Sequence, residues 1–407
     1  MRAHWACIRI TGNVGVYALC DPARVHVLHL DDRWPKIKLE NFRNLRELTL
    51  LSGCSHLQLS ETTGAKLARL ERLTVSSGAT IPRLVAHLRG LRELVVHGNI
   101  NNKSLRSIGL LSQLRHLELN LSYQVDATDH GFRHLTALTN LRTFRLKSMG
   151  QPIVPELWDQ ILSSNLRTLE LPRLLSAQYY DRIAVRCPLL EDLTFVTSRP
   201  PPPNLLNLTR LVRLCVDGDF QLFDLGPLNA TLRGLTLRNL SLASLTSVGR
   251  LHELEELSLE LQSSLFDASA LENLGRLRTF HLESSGLSDE HLRFVSRLHN
   301  LRELRLAGGN WNGCLTDAGL IHLRELHQLQ KLTLRNCSMS QKGLAHLAFL
   351  SNLRFVHLHS CAKLTLSALR TVSWPALERL DLYYLDKTRR ARVGRVFAQA
   401  QVACFPE

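Results

Sequence analysis

Aromatic residues are scarce in this chain, and long apolar runs are missing. Of its 407 residues 44% are hydrophobic, but only 6% are Phe, Trp or Tyr, so leucine supplies most of the apolar mass. A core built largely from one aliphatic residue is typical of stacked repeats. No apolar run approaches the roughly 20 residues that a transmembrane helix needs. The sequence therefore predicts a repeat protein that does not enter a membrane.

Signatures of the common enzyme families are missing as well. The chain contains no GxxxxGK[ST], no GxGxxG after a strand, no HExxH and no GxSxG. These motifs bind nucleotide phosphates or dinucleotides, hold catalytic zinc, or carry a nucleophilic serine. We therefore predict a protein that is not an enzyme and that binds no cofactor.

The cysteines and histidines do not have the spacing of metal ligands. The nine cysteines include no CxxC pair and are odd in number, which is typical of a reducing compartment. We expect a cytoplasmic protein, with the nucleus as the alternative. Among the histidines, His322 and His346 simply recur with the sequence period. His357, His359 and Cys361 could together hold a metal, but Cys361 occupies a structural position, so no metal site is predicted.

What the chain does contain is a repeated phrase. LTDAGLIHLRELHQLQKLTLRNC, residues 315–337, is followed by MSQKGLAHLAFLSNLRFVHLHSC, residues 339–361. Both include three apolar residues spaced 1-4-6, and this pattern occurs sixteen times at intervals of 20 to 28 residues. Its first members are Val25, Leu45, Leu70, Leu91, Leu114, Leu141, Leu166, Leu190, Leu211, Leu232, Leu254, Leu277, Leu301, Leu329, Leu353 and Leu377. Such a period indicates a solenoid built from one supersecondary unit.

Each repeat divides into a strand and a segment with helical spacing. The last two apolar residues of each triple alternate with polar ones, as in a strand that is buried on one face. Leu320, Leu323 and Leu326 then follow the spacing of one helical face. Thr316 and Asp317 precede them and are residue types that begin helices.

This pattern resembles the leucine-rich repeat, L-x-x-L-x-L-x-x-N/C, and the resemblance covers essentially the whole chain. Asn99, Cys337 and Cys361 stand at the N/C position, and Cys187 precedes another repeat. Together with LTDAGL they look like the cysteine-containing subtype found in the repeat domains of F-box proteins. The resemblance implies an α/β solenoid, a horseshoe with a parallel concave sheet and with helices and loops on its convex side.

The two ends of the chain are predicted to cap the solenoid, because a repeat array exposes its core at both ends. Residues 1–24 form a cap or a degenerate repeat, since Trp5, Ile8 and Ile10 imitate the 1-4-6 spacing. Residues 25–385 form the solenoid of about sixteen repeats. Residues 386–407 are basic and predict an amphipathic capping helix, with a nuclear-import or nucleic-acid patch as the alternative.

The resemblance to F-box proteins implies a role as a substrate receptor in ubiquitin ligation. An F-box is a helical module of several dozen residues ahead of the repeats. The 24 residues before Val25 show no leucine-proline opening of that kind. We therefore expect the repeats without the F-box, and the adaptor-binding function is not carried over.

Variable positions between the leucines are predicted to point outward from the concave face. In the C-terminal half they combine cations with aromatic rings, which are enriched at interaction hot spots. The candidate partner-binding residues are Arg305, Lys331, Arg335, Phe355, His357, His359, Tyr383 and Tyr384, together with Trp311 in the loop GGNWNGC. The favoured interpretation is a scaffold that binds a protein partner there; a solvated surface without a partner is the alternative. The oligomeric state is left open.

A ladder of arginines follows the first leucine of many repeats. The formal net charge is +14, which favours acidic partners or nucleic acid. The ladder comprises Arg46, Arg92, Arg115, Arg142, Arg167, Arg233, Arg278, Arg302 and Arg354, with Glu71, Glu255 and Glu378 at equivalent positions. It is either a solubilising edge or a track for phosphate groups. The second interpretation gives the alternative function, a basic scaffold in a nucleic-acid-containing assembly.

Overall fold

The chain forms two compact units, Met1–Val196 and Thr197–Glu407, in a computed structural model. The structure describes residues 7–10, 21–30, 39–51, 61–76, 81, 85, 87–121, 127–148, 161–173, 178–197, 203–218, 225–241, 245–262, 266–308, 315–361, 364–383, 397 and 400–405.

The first unit is built on a parallel sheet in which each strand pairs with the next strand along the chain. Its strands are β1 Cys7–Ile10, β2 Val27–Leu30, β3 Glu47–Leu50, β4 Arg72–Val75, β5 Glu93–His97, β6 His116–Leu121, β7 Thr143–Ser148, β8 Thr168–Arg173 and β9 Asp192–Val196. The register aligns equivalent leucines, so that Leu28 lies opposite Leu48, which belongs to the next repeat.

Short helices connect the strands of the first unit. The α-helices are Glu61–Lys66, Asn102–Gly109, Asp129–Phe132 and Gln178–Arg186, and the 3-10 helices are Pro22–Arg24, Leu39–Asn41 and Arg133–Ala137. Helix Asn102–Gly109 begins where the Asn101 side chain accepts a hydrogen bond from the Ser104 backbone N–H, 2.9 Å away. That bond satisfies one of the free donors of the first turn. The helix buries Leu105 and Ile108.

The second unit repeats this construction. Each strand of its main sheet pairs in parallel with the next, and a separate pair, β15 with β17, joins two of the connections. The strands are β10 Arg213–Asp217, β11 Gly234–Leu240, β12 Glu256–Leu261, β13 Thr279–Ser284, β14 Glu303–Gly308, β15 Leu315–Thr316, β16 Lys331–Arg335, β17 Cys337–Ser338, β18 Phe355–His359, β19 Arg379–Tyr383 and β20 Gln401–Phe405.

The connections of the second unit are mostly single helical turns. The α-helices are Thr246–Gly249, Asp317–Leu320, Gln341–Leu347 and Leu366–Leu369, and the 3-10 helices are Pro203–Asn207, Gly226–Leu228, Ser269–Asn273, Asp289–Arg297 and Ile321–Leu323. The predicted helix start at Thr316 is confirmed, because its side chain accepts a hydrogen bond from the Ala318 backbone N–H.

Acidic side chains link two helix starts of the second unit to the preceding repeat. Asp289 accepts hydrogen bonds from the backbone N–H and the hydroxyl of Thr316, at 2.7 and 2.5 Å. Asp317 accepts a bond from the Ser340 backbone N–H at 2.8 Å, one repeat later. A Cβ added to Gly319 would lie 2.3 Å from an Asp289 carboxylate oxygen, and one on Gly343 would lie 2.3 Å from Asp317. A side chain at either glycine would therefore displace the carboxylate.

The core lies between the sheet and the helical connections. Paired strand residues such as Leu332 and Leu334 are completely buried, while the residues between them are partly exposed. Helix residues Leu344 and Leu347 are buried as well. This arrangement follows from period-2 alternation on the strands and helical spacing on the connections. The predicted α/β architecture is confirmed within each unit.

The C-terminal end differs from its prediction. A helix was expected over residues 386–407, but residues 401–405 form strand β20, which pairs in parallel with β19. Val402 and Cys404 lie opposite Leu380 and Leu382 and thus continue the strand alternation of the repeats. This alternation determines the structure there, so the helical prediction is wrong for these five residues. At the other end, β1 pairs with β2 around Ile8 and Ile10.

Candidate functional site

Strand residues that alternate with the buried leucines lie on the face of each sheet opposite the core. We call this the open face. On β16 it carries Lys331, Thr333 and Arg335, which are partly exposed, whereas Leu332 and Leu334 between them are buried. A parallel register places open-face residues of neighbouring strands in rows across the sheet.

The structure brings most of the predicted binding residues together in three such rows. One row is Lys331–Phe355–Arg379, the next is Thr333–His357–Asp381, and the third is Arg335–His359–Tyr383. Arg305 on β14 lies opposite Thr333. We call this set of open-face residues on β14, β16, β18 and β19 the β14–β19 patch. Trp311 and Tyr384 lie outside the described residues.

The middle row contains a buried carboxylate that sequence reasoning missed. Asp381 is 1% exposed, and its carboxylate oxygens lie 2.8 Å from His357 Nδ1 and 2.9 Å from Arg379 Nε. On β20, Ala403 is its register neighbour. An aspartate between the leucines of LDL was the available signal, but its burial depends on β20, which was not predicted.

His357 is neutral at pH 7 despite its acidic neighbour. Burial lowers the pKa of the imidazole, the Asp381 carboxylate raises it, and the positive charges of Lys331 and Arg379 lower it again. The net pKa lies below the ordinary value, because desolvation disfavours the imidazolium. His357 is therefore held as a neutral hydrogen-bonding group rather than as a cation.

The third row combines a cation, an imidazole and a phenol. The rings of His359 and Tyr383 lie 5.1 Å apart, centroid to centroid. Burial and the positive charge of Arg335 lower the pKa of His359, so this imidazole is also neutral at pH 7. Within the described residues, no carboxylate forms an ion pair with Arg335. The row thus offers positive charge next to two rings.

The other cations of the β14–β19 patch are already compensated. Lys331 Nζ lies 2.8 Å from a Glu303 carboxylate oxygen, and Arg305 lies 3.7 Å from Glu283. Burial raises the pKa of Glu303, but the hydrogen bond and charge of Lys331 outweigh this effect and the pKa is lowered. Arg335 is therefore the cation of the patch whose charge is not paired with a carboxylate among the described residues.

Metal ligation is not supported by the geometry of the described residues. No group of three or more His, Cys, Asp or Glu side chains among them is arranged to hold a metal ion. Cys361 Sγ instead lies 2.9 Å from Cys337 Sγ. Their shared hydrogen bond lowers the pKa of Cys337 and raises that of Cys361. The two thiols are partners of each other.

The ladder residues occupy equivalent positions on adjacent strands, but their charges differ between the two units. Backbone N–H groups of successive ladder residues donate to the ladder carbonyl before them, as from Arg115 to Arg92 and from Arg278 to Glu255, each at 2.8 Å. In the second unit the ladder is interleaved with acids. Arg278 lies 3.6 Å from Glu255, and Arg354 Nε donates to Glu378 at 2.7 Å.

No helix in the described part of the chain is long and apolar enough to cross a membrane. No family model and no curated protein matches the sequence. The solved structures give matches in shape. The chain is similar to TLR13 in its complex with ssRNA13, with a TM-score of 0.54 and 17% identity over 95% of this chain and 71% of that one.

Two bacterial structures are also similar. A leucine-rich repeat protein of Leptospira interrogans matches with a TM-score of 0.49 and 19% identity over 97% of this chain and 99% of that one. An internalin of Listeria monocytogenes matches with a TM-score of 0.43 and 17% identity over 88% and 87%. The chain has the leucine-rich-repeat fold. At these identities the likeness concerns the fold alone.

The leucine-rich-repeat frame explains how the candidate site is displayed. Most repeats contribute one short strand with two buried apolar residues, usually leucines, which pack on the core side of the sheet. The residues between the leucines are not needed for that packing. On β16, β18 and β19 these residues lie in adjacent rows.

Proposed function

We propose that this leucine-rich-repeat protein is a non-enzymatic recognition scaffold that binds a protein partner on the open face of its second unit. The observation that carries the proposal is the row Arg335–His359–Tyr383. It places a cation without an ion-pair partner in the described structure beside two rings. Arginine and tyrosine are over-represented among residues that dominate binding energy.

The chemistry of the row favours a partner segment with a carboxylate. Arginine binds a carboxylate through two parallel N–H donors. Tyr383 in the same row and Phe355 elsewhere in the patch are both half-buried and supply apolar contact. A standard interface covers about 800 Å² per partner, so the partner extends over neighbouring strands as well.

The finer proposal, a substrate receptor in ubiquitin ligation, rests on the resemblance of the cysteine-bearing repeats to those of F-box proteins. Cys337 and Cys361, at equivalent positions of successive repeats, support that resemblance. Under this proposal the open face holds the substrate, and co-purification of a cullin adaptor with the intact protein is the expected result.

The second candidate, a basic scaffold in a nucleic-acid assembly, is supported by the exposed ladder arginines. It is weakened in the second unit, where Arg278 and Arg354 are paired with glutamates. The basic segment 387–395 lies outside the described residues. Nuclease treatment separates the two candidates, because a partner recognised through protein contacts survives it.

The test is quantitative co-purification with two matched charge reversals. Arg335→Glu alters the proposed row, and Arg238→Glu makes the same change on the open face of β11, where Arg238 is exposed. The two positions are separated by four strand spacings, about 19 Å. We expect a stoichiometric, nuclease-resistant partner to be lost with Arg335→Glu and retained with Arg238→Glu. Equal retention, or equal loss, contradicts the proposal.

His357 is not a suitable test position by itself. Its removal would leave the Asp381 carboxylate, which is almost completely buried, without one of its two partners. Breaking a buried pair from one side commonly costs several kcal/mol, about 3–5. Loss of binding would then be confused with unfolding. Arg335 is partly exposed, so we expect its replacement to leave the thermal midpoint unchanged.

A further inference from the structure

The ladder of the first unit contains an uninterrupted run of arginines. The backbone N–H of Arg115 donates to the carbonyl of Arg92, and that of Arg142 donates to the carbonyl of Arg115. Arg167 donates to Arg142 in the same way, and each of the three distances is 2.8 Å. The side chains therefore leave adjacent strands at equivalent positions along one rim of the sheet. Neighbouring strands lie about 4.8 Å apart, so the three inner arginines span roughly 10 Å.

Only the last arginine of the run, Arg167, is paired, and the carboxylate that precedes the run is paired with an arginine outside it. Arg167 pairs with Glu191 at 2.5 Å, and on the other side Glu71 lies 3.9 Å from Arg46. Within the described residues no carboxylate forms an ion pair with Arg92, Arg115 or Arg142, and all three are exposed. Three like charges on adjacent strands repel one another, so an anion bound between them relieves that repulsion.

A groove of about 350 Å³ lies at these residues. Arg92, Arg115 and Arg142 line it together with His116 and Thr143. Two carboxylates also line it, Glu71 before β4 and Glu93 at the start of β5 opposite His116, and Arg72 lies 3.3 Å from the Glu93 carboxylate. Both carboxylates therefore already form ion pairs with arginines. The unpaired positive charge of the groove lies toward β7.

The composition of the groove selects the ligand class. A single carboxylate satisfies one guanidinium, whereas several adjacent phosphates present enough acceptor oxygens for three. No Phe, Tyr or Trp lines the groove, and single-stranded nucleic acid normally needs aromatic surfaces on which its bases stack. Burial lowers the pKa of His116, so at pH 7 it offers a neutral N–H beside the arginines.

We propose that this groove of the first unit binds a compact polyphosphate group, two or more phosphates joined within one small ligand. The site is separate in residues and in chemistry from the open face of the second unit, so either can fail without the other. The arginines bind and position the phosphates; no bond is made or broken.

The test is calorimetric titration of the full chain with inorganic triphosphate at low salt in magnesium-free buffer. Arg115→Gln and Arg142→Gln each remove one guanidinium from the groove. Arg302→Gln is the matched control, because Arg302 is an exposed ladder arginine of the second unit with no ion pair among the described residues. We expect each groove variant to weaken binding about tenfold or more, since bonds to charged groups are worth more than neutral ones.

The control, Arg302→Gln, keeps the affinity of the unchanged protein, and orthophosphate binds more weakly than triphosphate. Thermal unfolding of each variant verifies that the fold is intact. The proposal is overturned if triphosphate does not bind, or if Arg302→Gln weakens it as much as Arg115→Gln does. It is equally overturned if single-stranded RNA binds at the groove and triphosphate cannot displace it, since the surface would then recognise nucleic acid.

Discussion

Open-face positions of β2 to β9 carry hydroxyls, histidines and balanced charges, whereas those of β16 to β19 carry two aromatic rings. In the first unit Glu118 lies 3.5 Å from Arg145 and 3.7 Å from Lys147, and no described open-face residue of β2 to β9 is Phe, Tyr or Trp. In the second unit Phe355 and Tyr383 flank the histidines. The same backbone thus presents two different faces.

The rims show the opposite contrast. The first unit has successive arginines whose inner members form no ion pair in the described structure, while the second unit interleaves its ladder with Glu255, Gln330 and Glu378. Face and rim positions vary independently, because neither set contributes to the buried leucine layer. A repeat frame can therefore place two kinds of recognition at different distances along one chain.

The largest effect is expected from removing the ring of Trp374 in the second unit. This side chain is completely buried, donates to the Leu347 carbonyl at 2.9 Å and stacks on Phe397. Trp374→Ala should lower the free energy of unfolding by about 3–5 kcal/mol. Denaturant unfolding measures this value, and hydrogen exchange should show the loss of protection in β18 to β20.

The control for that change is Trp374→Phe, which retains one six-membered ring and loses the indole donor together with the five-membered ring. We expect a smaller loss, about 1–3 kcal/mol. If the alanine variant weakens protection equally in β3 to β6 of the first unit, then the two units do not respond separately to a loss of packing in the second unit.

The next prediction transfers the rim chemistry to the second unit. Glu255→Arg would put arginine at successive ladder positions, next to Arg233 and Arg278, as in the first unit. We expect a second triphosphate-binding event within about tenfold of the affinity of the first. Calorimetric stoichiometry provides the measurement.

Glu256→Arg is the matched control, because it changes the charge equally at the neighbouring, exposed open-face position. It should leave one binding event. A second event with this variant would show that overall charge, rather than an uninterrupted ladder, attracts the anion.

A moderate effect of pH is expected in the second unit. Burial lowers the pKa of His357, so the folded protein binds fewer protons than the unfolded chain as pH falls through about 6.5. The stability that comes from a neutral His357 is complete above that pH and is lost below it. Urea unfolding at pH 7.5 and pH 5 measures the loss.

His357→Gln tests the assignment, since glutamine retains a hydrogen-bond donor for Asp381 but does not titrate. We expect this variant to lose less stability on acidification than the unchanged protein. Identical losses in the two proteins would assign the pH dependence to other groups, such as His116 in the first unit, whose pKa is also lowered by burial.

The smallest effect concerns the ion pairs that interrupt the ladder. Arg354 and Glu378 are each about half exposed, so water screens their attraction. A double-mutant cycle with Arg354→Gln and Glu378→Gln should give a coupling of about 0.2–1 kcal/mol. The equivalent cycle on Arg167 and Glu191 should agree, and a coupling well above this range in one unit would reveal a network there.

The repeat frame and the location of the candidate site were largely predictable from the sequence. The 1-4-6 spacing marks the strands because buried leucines must alternate on a pleated strand, and the same alternation identifies Arg335, His359 and Tyr383 as open-face residues. The adjacency of these three residues follows from the parallel register. Whether the scaffold binds a partner there stays a prediction.

Other features depend on packing that no local pattern records. Strand β20 was missed because the position three residues before Val402, where the repeat pattern has a leucine, is Gln399. The apolar residues just before it, such as Val396 and Ala400, have the spacing of a helix instead. Without that strand, the burial of Asp381 could not be foreseen. The pairing of Lys331 with Glu303 likewise depends on which side-chain rotamers meet across β14 and β16.

The aspartate–glycine contacts between repeats have a consequence for how such a chain can be cut and rejoined. Asp289 belongs to one repeat, while Thr316 and Gly319, which it contacts, belong to the next. Asn102 accepts from Thr128 and lies against Gly131 in the same manner. A duplication or engineered deletion that separates the acid from the next repeat leaves a carboxylate without its donors and a helix start without its acceptor. The unit that has to be kept intact therefore extends from the carboxylate of one repeat to the glycine of the next, across the repeat boundary.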